Sequence, residues 1–141
     1  MGSGIEKRRV QRVQPDYPVI GQLPAGNVIV ADLSTVGARV DHQFPLAAGR
    51  RVRLEFSCEG ERLSVYCDVT RCKLQRSSNK NGAIVYSSGL RFVDLDEESL
   101  KALRRVIAGF VTRHLAERKA NRLRAASTTE FAFASDPMGA R

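Results

Sequence analysis

There is no tryptophan in this 141-residue chain, and only six phenylalanines and three tyrosines. Most of these rings fall at positions that read as core or lie in the C-terminal tail. Few are left over for stacking bases, which single-strand nucleic-acid binders need. Histidine is scarcer still: His42 and His114 are the only two, far apart and in different expected elements. No Ser–His–acid or Cys–His set for nucleophilic catalysis is indicated, Glu97 and Glu98 read as helix-start charges, and an enzyme is the least expected class. The three cysteines, Cys58, Cys67 and Cys72, are odd in number and lack CxxC spacing. That argues against a zinc site or a disulfide framework and for thiols in a reducing cytoplasm. No run approaches ~20 apolar residues, so no membrane span is expected. The first apolar run, Tyr17 to Leu23, is too short and too broken by Pro18 and Gly21 for a signal peptide.

What the chain has in excess is positive charge, with 23 Lys and Arg against 15 Asp and Glu and a net charge of +8. The excess is uneven. Lys7, Arg8, Arg9 and Arg12 crowd an N-terminal arm, and Arg104, Arg105, Arg113, Arg118, Lys119, Arg122 and Arg124 crowd the C-terminal segment. An anionic partner follows: a nucleotide, a nucleic acid, an acidic protein or a lipid surface.

Between the basic ends, residues 15–95 form short strand-like runs separated by turn signals. In "RRVRLEF" (50–56), Val52, Leu54 and Phe56 alternate with Arg51, Arg53 and Glu55, a strand with one buried face. "EGE" (59–61) turns the chain and "RLSVYCDVTRCKL" (62–74) returns. Folding that hairpin about Gly60 sets Leu54 opposite Cys67 and Phe56 opposite Val65. "NG" at the end of the 75–82 loop is a further hairpin signal leading to "AIVYSSGLRFVDL" (83–95). About six locally connected strands imply an antiparallel barrel or sandwich. From Asp96, a helix N-cap by type, apolar residues at Leu100, Leu103, Ile107, Phe110 and Val111 take helical spacing. The apolar stripe thins after Leu115, so the first half of the helix is expected to cap the barrel and the basic second half to protrude or pair with another subunit. The resulting division is an expression scar (1–4), a flexible basic arm (5–14), a barrel (15–95), a helix (96–124) and a tail without order (125–141).

One stretch resists a purely structural reading. "VIVADLSTVGAR" (28–39) runs as a strand into Asp32, Ser34 and Gly37. In extended chain, residues two apart share a face roughly 6.6–6.8 Å apart. Asp32 and Ser34 would then project together, away from Ile29, Ala31 and Leu33. A carboxylate accepts well from the N1–H and N2–H of a guanine edge, while hydroxyls and glycine amides suit phosphate oxygens. Alone, the stretch reads first as a turn in which Asp32 and Ser34 bond nearby amides and Gly37 serves its own φ. About twenty residues upstream, Arg8 and Arg12 are the arm's one RxxxR pair, and an arginine fork matches guanine O6 and N7 or a phosphate.

RxxxR followed by DxSxxG at a strand end resembles the PilZ domain, a bacterial receptor module for cyclic di-GMP. The likeness continues through Gly49 before a strand, "DVTRC" with Val69 and Arg71, and "SSGLRFVDL" with Gly89 and Phe92, and covers about residues 6 to 115. It implies an all-β fold with a C-terminal α-helix, specifically a six-stranded antiparallel Greek-key β-barrel. It also implies cyclic di-GMP as ligand, with no cofactor or metal. Arg8 and Arg12 are carried over as contacts to guanine edges and phosphates. Asp32 takes the guanine amino edge, Ser34 the phosphate and Gly37 the close approach. Arg71 and Gly89 line the site, and Arg9 is a candidate to stack on a base. The free arm should be mobile, since Val10 and Val13 offer little apolar surface. Ordering it costs on the order of 10 kcal/mol against ~1–3 kcal/mol for each bidentate arginine contact, leaving roughly micromolar affinity. Function then lies in coupling arm ordering to a downstream protein partner, in the cytoplasm, as a monomer or a helix-mediated homodimer. The alternatives are a basic interaction adaptor and a nucleic-acid-binding β-barrel.

Overall fold

The computed structural model describes residues 10–75 and 84–135, with side chains in the C-terminal helix described to Ala125. Arg8, Arg9 and the "NG" hairpin signal lie outside the described residues. Six strands follow one another along the chain: β1 (Ile20–Leu23), β2 (Gly26–Leu33), β3 (Gly37–His42), β4 (Arg51–Cys58), β5 (Glu61–Gln75) and β6 (Val85–Val93). They pair antiparallel throughout and close into a barrel in the order β1-β2-β3-β6-β5-β4. The six-stranded antiparallel barrel expected from the sequence is therefore the observed fold. Closure leaves no long free strand edge, although the β1–β4 seam is only two residue pairs long, Gly21↔Phe56 and Gln22↔Glu55. Inward positions fill the core with Val28, Val30, Leu33, Val40, Leu54, Val65, Cys67, Val69 and Leu90.

β4 alternates as expected, burying Val52, Leu54, Phe56 and Cys58. The β4–β5 register differs from expectation. Glu59 (φ 52°) and Gly60 (φ 78°) both adopt left-handed backbone, the geometry of a two-residue hairpin turn. Cys58 therefore faces Glu61, Leu54 faces Val65 and Phe56 faces Leu63. The buried faces still match, because the shift is by two residues, a whole pleat.

β2 overturns a second expectation. Ile29 is 45% exposed while Val28 and Val30 are buried. Pairing with β3 slips between Val30 and Asp32, so Ala31 is an inserted residue that resets the phase and returns Leu33 to the core. A period-two reading of this strand cannot see the insertion.

The helix, α1, spans Glu97–Ser135, continuing past the expected end at residue 124. Asp96 caps it: its Oδ1 accepts from Ser99 N–H at 2.7 Å, and those Ser99 bonds hold the Asp96 carboxyl below its usual range. Ala102, Leu103, Val106, Ile107 and Phe110 are buried. The Phe110 ring centroid lies 5.5 Å from that of Tyr17, and Arg105 pairs with Glu61 at 2.8 Å. The described residues from Val111 onward belong to a separate compact unit. Within it Leu115 and Leu123 are 58% and 63% exposed. None of the described helix is long and apolar enough to cross a membrane.

Candidate functional site

The site is assembled by strand register. On the outward side of the barrel, Asp32 (β2) lies opposite Arg39 (β3), Arg39 opposite Gly89 (β6), and Gly89 opposite Arg71 (β5). Two insertions make this row. Without Ala31, Asp32 would not face Arg39; without the slip between Val69 and Arg71, Arg71 would not face Gly89. Adjacent strands lie ~4.8 Å apart, so the Arg39 and Arg71 backbones stand roughly 10 Å apart with a glycine between them. A methyl group at position 89 would come within 2.7 Å of Thr70 Oγ1, which itself donates to the Gly89 carbonyl at 3.1 Å. Gly89 keeps the floor low.

Over this floor runs a groove of about 700 Å³ lined by Arg12, Gly37, Arg39, Arg71, Lys73, Gly89 and Arg91, among others. Among the described residues, every charged side chain in the lining is a cation, whereas the nearby carboxylates bind at its margins. Asp68 holds Arg51 at 2.9 Å and Arg91 at 3.1 Å, and the Arg51 guanidinium keeps its carboxyl below the usual range. Asp41 holds Arg39 more loosely, at 3.4 Å. Among the described residues, no ion pair engages Arg12, Arg71, Lys73 or Asp32. Low dielectric walls and one sign of charge concentrate anions in such a cleft.

Of the sequence-predicted site residues, Arg12, Ser34, Gly37, Arg71 and Gly89 line the groove. Asp32 is half-buried in the adjoining row. Arg12 is brought there by its neighbour. Val13, 7% exposed, exchanges two backbone hydrogen bonds with Leu33, both 2.9 Å. The expectation that Val13 offers little apolar surface is corrected: it is the arm's anchor to the end of β2.

Ser34 and Gly37 are placed differently from their expected roles. Ser34 is 2% exposed, and its Oγ accepts from Val36 N–H at 3.1 Å and Gly37 N–H at 3.2 Å. Ser34 N–H in turn donates to the Gly37 carbonyl at 2.9 Å. This is the local turn, so the Gly37 amide is engaged within the protein. Gly37 is not among the glycines with positive φ. Its need for no side chain is steric: a methyl there would sit 2.3 Å from the Leu90 carbonyl oxygen of β6.

Sequence reasoning missed Arg39, Lys73 and Arg91. The signal was available: in "GARVDH", alternation about buried Ala38 and Val40 sends Arg39 and Asp41 outward, two and four residues past Gly37. Behind the floor, buried His42 is a core residue. Its Nδ1–H donates to the Phe44 carbonyl (2.6 Å) and its Nε2 accepts from Ser88 Oγ (2.8 Å). Burial holds its pKa below the ordinary histidine value. Among the described residues no cluster of His, Cys, Asp and Glu could hold a metal ion.

Comparison with known proteins agrees with this architecture. The family model of the PilZ domain matches residues 6–109. A search of curated proteins found no match. Among solved structures, the PilZ domain with c-di-GMP of YcgR from Escherichia coli is 18% identical with a TM-score of 0.60, the likeness covering 82% of this chain and 98% of that one. K. pneumonia MrkH in its apo state is 12% identical with a TM-score of 0.61, over 77% of this chain and 52% of that one. The Bacillus subtilis inhibitor of motility is 14% identical with a TM-score of 0.56, over 78% and 52%. This chain thus spans about half the length of the latter two. At such identities the likeness is one of fold. The family match over most of the chain and the closed six-stranded barrel lead to one assignment: the chain belongs to the PilZ domain family.

Proposed function

We propose that this domain is a receptor for cyclic di-GMP, acting by binding and without covalent chemistry. The observation that carries the reading is the all-cationic groove, which gathers Arg12, Gly37, Arg71 and Gly89 beside Asp32. A cyclic dinucleotide presents two phosphates and two guanines. The cations suit the phosphates, and the Asp32 carboxylate suits a guanine N1–H and N2–H pair. Arg8 and Arg9 belong to the same arm as Arg12 and complete the set. In this reading Ser34 shapes the turn that presents Asp32 and Gly37.

Regulation follows from the arm. Because Val13 is fixed by folding, ligand capture orders the arm outward from that anchor, across the barrel wall, and changes the surface offered to a protein partner in the cytoplasm. The helix offers one surface of suitable chemistry, since Arg118, Lys119, Arg122 and Arg124 are exposed beside Leu115 and Leu123.

Titration calorimetry with cyclic di-GMP tests the reading. Wild type should bind with roughly micromolar affinity. Arg12→Ala and Asp32→Ala should abolish binding and leave the melting temperature nearly unchanged, since neither side chain is in the core. Ligand at about a hundredfold its Kd should stabilise the fold by ~2.7 kcal/mol. No heat and no thermal shift with wild type would refute the reading.

A further inference from the structure

We propose that Asp41 is a built-in competitor for the nucleotide: it holds Arg39 at the groove edge, and a ligand phosphate displaces it, so that the Arg39–Asp41 pair sets the affinity of the site. The inference rests on the cyclic di-GMP reading and deepens it.

Arg39 occupies the centre of the cross-strand row, between Asp32 on one side and Gly89 on the other. Its side chain is 41% exposed and lines the groove. One nitrogen, Nη1, carries both of its described polar contacts, 3.4 Å to Asp41 Oδ1 and 3.5 Å to Ser87 Oγ. A guanidinium has five N–H donors in a planar fork, so most of its donor capacity is left over. Both contacts lie beyond the ordinary range for charge-assisted hydrogen bonds.

The contrast with Asp68 is informative. That carboxylate is gripped by two arginines, Arg51 and Arg91, at 2.9 and 3.1 Å, and is a fixed part of the wall. Asp41 is 30% exposed and, among the described residues, has a single long ion pair, the geometry of an exchangeable partner. A phosphate seated over Gly89 has Arg39 on one flank and Arg71 on the other, and it offers Arg39 two oxygens where Asp41 engages one nitrogen. The carboxylate meanwhile keeps the free guanidinium parked, and disfavours weakly held anions.

Calorimetry on four proteins decides it: wild type, Asp41→Asn, Arg39→Gln and the double variant, each checked by thermal melt. Asp41→Asn should tighten cyclic di-GMP binding about threefold, the scale of an exposed ion pair. Arg39→Gln should weaken it about tenfold, and Arg39→Lys, which keeps the charge without the fork, should fall between. In the Arg39→Gln background, Asp41→Asn should change nothing. Equal tightening in both backgrounds would mean that Asp41 acts as a general negative charge, and the proposal fails. Wild-type affinity in Arg39→Gln also sinks it while leaving the receptor reading intact. Absence of binding by wild type removes both.

Discussion

Gly37→Ala isolates the role of the motif glycine. An added methyl would stand 2.3 Å from the Leu90 carbonyl oxygen and 3.4 Å from the Arg91 Cα. Relief to an ordinary contact of ~3.4 Å therefore requires β3 and β6 to part by about 1 Å. The obstructing atom is backbone, so no rotamer change helps. Overpacking of this kind costs ~1–3 kcal/mol, and the loosened Ser34 turn adds to it. At roughly 4–8 °C per kcal/mol for a domain of this size, differential scanning fluorimetry should show a drop of about 10 °C without any nucleotide. Gly89→Ala is the matched control. There the obstruction is Thr70 Oγ1 at 2.7 Å, a side-chain atom, so Gly89→Ala should cost less, and Gly89→Ala/Thr70→Ala should recover most of the loss. If Gly37→Ala melts with wild type, the glycine is not there for strand approach and the steric argument is wrong.

Three further outcomes are expected. Burial lowers the His42 pKa from its ordinary value of 6.5, so the fold favours the neutral ring. That stability is whole above pH 6.5 and is lost as pH falls through the lower folded value. Melting temperature should therefore decline as pH falls below about 6.5, and His42→Gln should flatten this dependence. The Asp68 and Glu61 carboxyls, lowered by Arg51 and Arg105, act only in more acidic solution. Burial raises the Cys58 and Cys67 thiols to about 11 and about 12, so iodoacetamide at pH 8 should modify half-buried Cys72 first, giving one adduct by intact mass. Val13→Ala removes two buried methyls, ~1.5 kcal/mol at most. It should lower the melting temperature by several degrees and weaken cyclic di-GMP, although Val13 carries no polar side chain.

Much of this architecture is legible in the sequence because one wall is so regular. β4 alternates without interruption, Asp96 announces the helix, and the turns carry glycine. The illegible parts share a cause. Ala31 and Thr70 are inserted residues with ordinary side chains, and nothing in their chemistry distinguishes them from paired neighbours; only pairing with β3 and β6 does. Hence Ile29 was expected inside and is outside. Ser34 has the residue type of both a phosphate contact and a turn cap, and the spacing to Gly37 serves either. Val13 looked too small to anchor an arm, because its worth depends on the main-chain exchange with Leu33. Arg39 follows the DxSxxG stretch by two positions, where alternation alone could have found it.

The short β1–β4 seam has a consequence for breathing of the barrel. Gly21 there has Leu54 Cδ1 and the Glu55 carbonyl within 3.3 Å of where a side chain would start, so the closure is tight yet brief. Amide exchange by sub-global opening should begin along Gly21–Gln22 and Glu55–Phe56, because few hydrogen bonds must break there. The long β3–β6–β5 ladders lie away from that zipper's open end. The groove-bearing wall can thus stay preorganised while the opposite side of the cylinder absorbs thermal fluctuation.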